Sequence, residues 1–69
     1  MPLPLAEAGS EQIIKSIGGN PKTQAHLRNL GFIEGEKIYV VSSFNGNLIV
    51  QIKGSRVGID RELAMKILV

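Results

Sequence analysis

The segment Leu27-Arg28-Asn29-Leu30-Gly31-Phe32-Ile33-Glu34-Gly35-Glu36 constrains this chain more than any other part of it. It reads as the end of a helix, a glycine stop, a hydrophobic clamp, a tight glycine turn and the start of a strand. Upstream, Asn20-Pro21 is a helix start, with Asn as the cap and Pro at the first helical position, where a missing N–H costs nothing. On a helical wheel Thr23, Leu27 and Leu30 share one face, with His26 at its border. That stripe is narrow, so the helix covers an edge of something larger. Gly31 suits the left-handed position that follows a helix. Phe32 then falls at C″ and Leu27 at C3, the pair that touch in a Schellman motif. After Ile33, the Glu34-Gly35 dipeptide makes a second turn.

The rest of the chain reads as short strands. The first ten residues form an irregular lead-in, because Pro2 and Pro4 oppose regular pairing and Gly9 punctuates. Leu3 and Leu5 are expected to pack on the body. Glu11 to Ile17 is one strand candidate, with Ile13 and Ile17 on one face and Ile14 on the other, ended by Gly18-Gly19. Lys37 to Ser43 and Asn47 to Lys53 form a hairpin around Asn45-Gly46. A two-residue type I′ turn would pair Ser42 with Ile49 and Val40 with Gln51, leaving polar residues on the apolar face. A three-residue loop, Phe44-Asn45-Gly46, shifts pairing by one and puts Ile38, Val40, Leu48, Val50 and Ile52 on one face. A one-residue slip flips every side chain, so the core selects the second register. Gly54-Ser55 turns the chain again, into a strand from Arg56 to Asp60 with Val57 and Ile59 inward. Asp60 caps a helical turn, Arg61 to Ala64, and Lys66 to Val69 is a last strand. Five short strands with glycine turns suit a strongly bent sheet closed into a partial barrel.

Size and composition exclude several functions. Sixty-nine residues make one domain at most. No cysteine is present, so neither disulfides nor thiolate zinc sites contribute. The net charge of +2 is scattered, without the run of cations that marks a nucleic-acid or membrane surface. No apolar stretch approaches the roughly 20 residues of a membrane span, and the N-terminus lacks the basic flank of a signal peptide. A reducing cytoplasm is the expected location.

In order and in content the chain resembles the ferrous iron transport protein A (FeoA) family. The resemblance is carried by Leu27-x-x-Leu30-Gly31-Phe32-Ile33-x-Gly35, by Ser55-Arg56-Val57-Gly58-Ile59, and by Glu62-Leu63-Ala64-x-x-Ile67-x-Val69. It runs from about Ile13 to Val69. Glu34 stands where members often have Pro, and the hairpin loop is shorter than in many. The resemblance implies a mostly β, SH3-like barrel. It implies an accessory role beside FeoB, the membrane-bound ferrous iron transporter with a cytoplasmic GTP-binding domain. Metal-responsive repressors share the fold, but no helix-turn-helix precedes it here.

Residue by residue, catalysis and metal binding find little support. His26 is the only histidine and Asp60 the only aspartate, so no triad can be assembled from them. Glu34 and Glu36 lie in one turn, but two carboxylates alone bind ferrous iron weakly. Gly18-Gly19-Asn20-Pro21 precedes a helix without the phosphate-loop pattern, and is a strand-to-helix turn. Neither an enzyme nor a cofactor or metal site is expected. A nucleic-acid-binding barrel is the alternative, but Phe32, Tyr39 and Phe44 with a weak charge make a poor stacking platform. A protein partner is the better expectation, through Tyr39, Val41, Phe44 and Ile49. Tyr39, Val41 and Ile49 lie opposite the core, where either the lead-in or the helix covers them or they form an exposed apolar patch. Cover is the expected outcome. Phe44 stands apart at the hairpin tip.

Overall fold

The helix comes first in the logic of the fold. In the computed structural model, which describes all residues from Met1 to Val69, it spans Pro21–Asn29 (α1). The Asn20 side chain accepts a hydrogen bond from the Thr23 N–H at 2.8 Å, capping the open N-terminus. The far end is a Schellman motif. The Phe32 N–H donates to the Leu27 carbonyl at 3.0 Å and the Gly31 N–H to Arg28 at 2.9 Å. Gly31 has φ +104, which a β-branched residue resists. Leu27 and Phe32 are both fully buried, so the clamp anchors the helix to the core.

Six strands accompany it rather than five. The expected strand from Glu11 to Ile17 is two, Glu11–Ile13 (β1) and Ser16–Ile17 (β2), in different sheets. The chain bends between them, and the bend is pinned by the next turn. The Ile14 N–H donates to the Glu36 carbonyl at 3.0 Å, and the Gly35 N–H donates to the Ile14 carbonyl at 2.8 Å. This bend breaks the simple alternation. Ile14 and Ile17 are both buried, and Ile13 is exposed.

The remaining strands are Lys37–Phe44 (β3), Asn47–Ile52 (β4), Ser55–Ile59 (β5) and Ile67–Leu68 (β6). A short helix, Arg61–Met65 (α2), lies between β5 and β6. One sheet has the order β1-β3-β4-β5, and β2 pairs with β6 in a second, smaller one. Together they make the partial barrel. The 15 buried residues are all apolar and form one cluster, with no buried polar side chain.

The expected three-residue loop of the β3–β4 hairpin is not formed, although the apolar face it was meant to secure is. The turn is the two-residue form, with Asn45 at φ 53 and Gly46 at φ 83, both positive as type I′ requires. Ser42 does pair with Ile49, as that turn dictates. The register then shifts between Val40 and Ser42, leaving Val41 as a bulged extra residue. Beyond it Val40 pairs with Val50, and Ile38, Val40, Leu48, Val50 and Ile52 are all buried on one face. The local turn and the core each get the register they demand, and the bulge reconciles them.

Two smaller corrections concern the lead-in and the next turn. Leu3–Leu5 forms a 3-10 turn, Pro2 bridges to Leu68, and Leu3 is buried while Leu5 is exposed. The β4–β5 turn is Lys53-Gly54, one residue earlier than the Gly54-Ser55 expected, so Lys53 is not part of the strand and sits at φ 50.

Candidate functional site

Strand alternation places the outward side chains of the four-stranded sheet in rows. One row runs Glu11, Tyr39, Gln51, Arg56 across all four strands, since each is the register partner of the next. The next row runs Ser42, Ile49, Gly58, and Phe44 pairs with Asn47 beyond it. Tyr39, Ile49 and Phe44 are 42%, 45% and 75% exposed.

The expected cover is therefore not formed. The lead-in passes the edge, where the Gly9 N–H donates to the Val40 carbonyl at 2.6 Å, but leaves the Tyr39 ring open. The C-terminal end of α1 lies beside Ile52, a residue that faces the core, so the helix shields the other side of the sheet.

The four candidate residues divide among different places. Phe44 and Ile49 share an open groove of about 380 Å³ with Ser42, Gly58 and Asp60. Tyr39 borders a neighbouring groove of about 420 Å³, with Glu11, Lys37, Gln51 and Lys53. Val41 is half-buried in the bulge and belongs to neither.

The groove beside Phe44 is held on two sides. The Asn47 Oδ1 accepts from the Arg61 N–H at 3.1 Å, and the Asp60 Oδ1 accepts from the Leu63 N–H at 2.9 Å. Both bonds satisfy open N–H groups in the first turn of α2. The Asn47 bond also fastens the hairpin tip to the β5–α2 junction. The Arg61 side chain lies against Gly46, leaving no room for a Cβ there.

Gly58 and Arg56 are the parts of this face that the sequence reading did not assign to a surface, while Asp60 is the helix cap it expected. The available signal was alternation along Ser55–Ile59, which directs Arg56 and Gly58 outward once Val57 and Ile59 face inward.

His26 is exposed on α1, and no three His, Asp or Glu side chains converge on a point that could hold a metal ion. The backbone of the Glu34–Glu36 turn is occupied with anchoring Ile14. No helix is long and apolar enough to cross a membrane.

A bent four-stranded sheet, a two-stranded partner sheet and a short helix before the last strand define a domain of the SH3-like class. Solved structures carry the same fold. A crystal structure of an iron uptake regulatory protein (FeoA) superposes with a TM-score of 0.87 at 29% identity, covering 96% of this chain and 88% of that one. A zinc complex of FeoA from Stenotrophomonas maltophilia, described as an SH3 domain protein, superposes at 0.84 with 23% identity over 99% and 87%. A manganese-dependent transcriptional repressor shares the fold over 97% of this chain but only 39% of its own, at 0.86 and 18% identity. The family model for the FeoA domain matches residues 1–69. The chain belongs to the FeoA family, whose members are accessory proteins of ferrous iron transport. A relative from Methanocaldococcus jannaschii, provisionally named Fe(2+) transport protein A, is 40% identical over 68 residues, 99% of this chain and 83% of its own.

Proposed function

We propose that this protein is a cytoplasmic regulatory adaptor of ferrous iron uptake. It docks by protein–protein contact onto the cytoplasmic GTP-binding part of an FeoB-type transporter. The observation that carries this reading is the match of the FeoA model to residues 1–69. The apolar outer face supports it, because Tyr39, Ile49 and Phe44 lie uncovered on a sheet whose other face supplies the core. Phe44 and Ile49 share one groove, and contiguous exposed apolar patches mark interaction surfaces. In this reading the domain performs no chemistry, and iron is the cargo of its partner.

The test is genetic. Deleting the gene changes the rate of radiolabelled ferrous iron uptake, and a plasmid copy restores it. Uptake that is identical with and without the gene contradicts the proposal.

A further inference from the structure

Strand β5 is an unfinished ladder. It pairs with β4 on one side and is the last strand of its sheet on the other. Ile52 and Ser55 close the Lys53-Gly54 hairpin, and the closing pair of a two-residue hairpin is hydrogen-bonded. Alternation then directs the backbone groups of Ser55, Val57 and Ile59 toward β4, and those of Arg56 and Gly58 away from it. No backbone hydrogen bond from a turn, loop or cap reaches Ser55–Ile59. The N–H and C=O groups of Arg56 and Gly58 therefore face water in a row. Natural edge strands are commonly blunted by proline, a bulge or a covering loop. The β5 segment has no proline, and its register with β4 runs unbroken from Ser55 to Ile59.

Gly58 sharpens the point. A glycine inside a strand weakens it, and usually marks a bulge or a close approach of another backbone. Neither applies here. The ladder is regular, the backbone of Gly58 is not in the positive-φ region, and a Cβ placed on it would meet nothing within 4 Å. The fold does not require glycine at this position. What the missing side chain does is leave the floor of the Phe44–Ile49 groove open, continuous with the free edge.

Arg56 gives the edge a sign. It is exposed, next along the strand on the same face, and none of the chain's side-chain hydrogen bonds uses it. We propose that β5 receives one extended strand of a partner protein, added to the sheet edge, with an apolar side chain opposite Gly58 and a carboxylate opposite Arg56. The backbone of that strand satisfies the open groups of Arg56 and Gly58. Its residue opposite Gly58 lies on the outer face and drops into the groove against Ile49 and toward Phe44. Its residue two positions away meets the Arg56 guanidinium, which pairs with carboxylates in a bidentate geometry. This inference rests on the docking reading above and adds to it the surface and the chemistry of the partner segment.

The experiment is a calorimetric titration of the full chain against the full-length FeoB-type transporter from the same source, reconstituted in lipid nanodiscs. Two variants accompany the wild type. Gly58→Val places a strand-favouring side chain where there is room, so its melting temperature equals or exceeds that of the wild type while the groove is filled. Arg56→Glu reverses the charge at an exposed site. Each weakens binding by about tenfold or more, as loss of a central interface contact does. Wild-type affinity in both variants overturns the proposed surface and leaves the docking reading standing. No binding by the wild-type chain overturns that reading and this inference with it. A wild-type dimer in sedimentation that Gly58→Val dissolves assigns the edge to a second copy of the chain and overturns the proposal.

Discussion

At the scale of single residues, the backbone angles carry the clearest predictions. Gly31 closes the Schellman motif at φ +104, and its two capping bonds hold Phe32 where it fills the core. Gly31→Val forces a β-branched residue into a region it resists, at a cost of about 2–3 kcal/mol. A domain this small has a total stability of roughly 3–10 kcal/mol, so the melting temperature falls by more than about 10 °C. Gly31→Asn, which tolerates the left-handed region, costs less. An unchanged melting curve for Gly31→Val contradicts the assignment. Lys53 is the opposite case, a lysine held at φ 50 in a turn that favours Asn or Gly. Lys53→Asn raises stability by about 0.5–1 kcal/mol, a shift of several degrees in thermal unfolding. Gly31 was legible in the sequence because a helix stop is local, set by spacing from Asn20 and by the Leu27–Phe32 pair. Lys53 was not, because the Gly54-Ser55 dipeptide looked like a complete turn in itself.

At the scale of elements, the β3–β4 hairpin shows how two correct local arguments can conflict. Asn45-Gly46 demands a two-residue turn, and the alternation of Ile38, Val40, Leu48, Val50 and Ile52 demands the other phase. Sequence alone offers a choice between them. The chain satisfies both by bulging at Val41, a device that only the three-dimensional ladder reveals. Deleting Val41 is then expected to leave a folded protein, because Ser42–Ile49 and Val40–Val50 become consecutive pairs with every side chain on its present face. Cross-strand proton contacts between Ser42 and Ile49 report this directly. A deletion variant that exposes Leu48 or Val50 contradicts it. The lead-in is another element whose role depends on distant partners. Pro2 bridges to Leu68, the Met1 ammonium donates to the Val69 carbonyl at 2.7 Å, and Leu3 is fully buried. Leu3→Ala should cost about 2–5 kcal/mol, and chemical denaturation measures it. Prolines at positions 2 and 4 signalled irregular backbone, which is right for the angles but silent about burial.

At the scale of the whole molecule, the fold was more legible than the working surface. Apolar spacing and glycine punctuation describe how a chain closes on itself. A docking face depends on which strand ends the sheet and which outward rows line up across four strands. Phe44 was legible as a hairpin-tip residue, whereas Ile49 was expected to be covered; both are exposed and share one groove. Gly58 was not legible, because its meaning lies in what is absent around it. The chain's membership of the FeoA family fixes the field of its function as ferrous iron transport. In the proposed docking, the partner is gripped at the β5 edge, through backbone pairing and the Arg56 guanidinium. The most direct measurement is amide hydrogen exchange along Ser55–Ile59, with and without the full-length transporter in nanodiscs. The account predicts that the amides of Arg56 and Gly58, open in the free protein, become protected when the transporter is added. Binding that leaves these two amides exchanging at their free rate would contradict it.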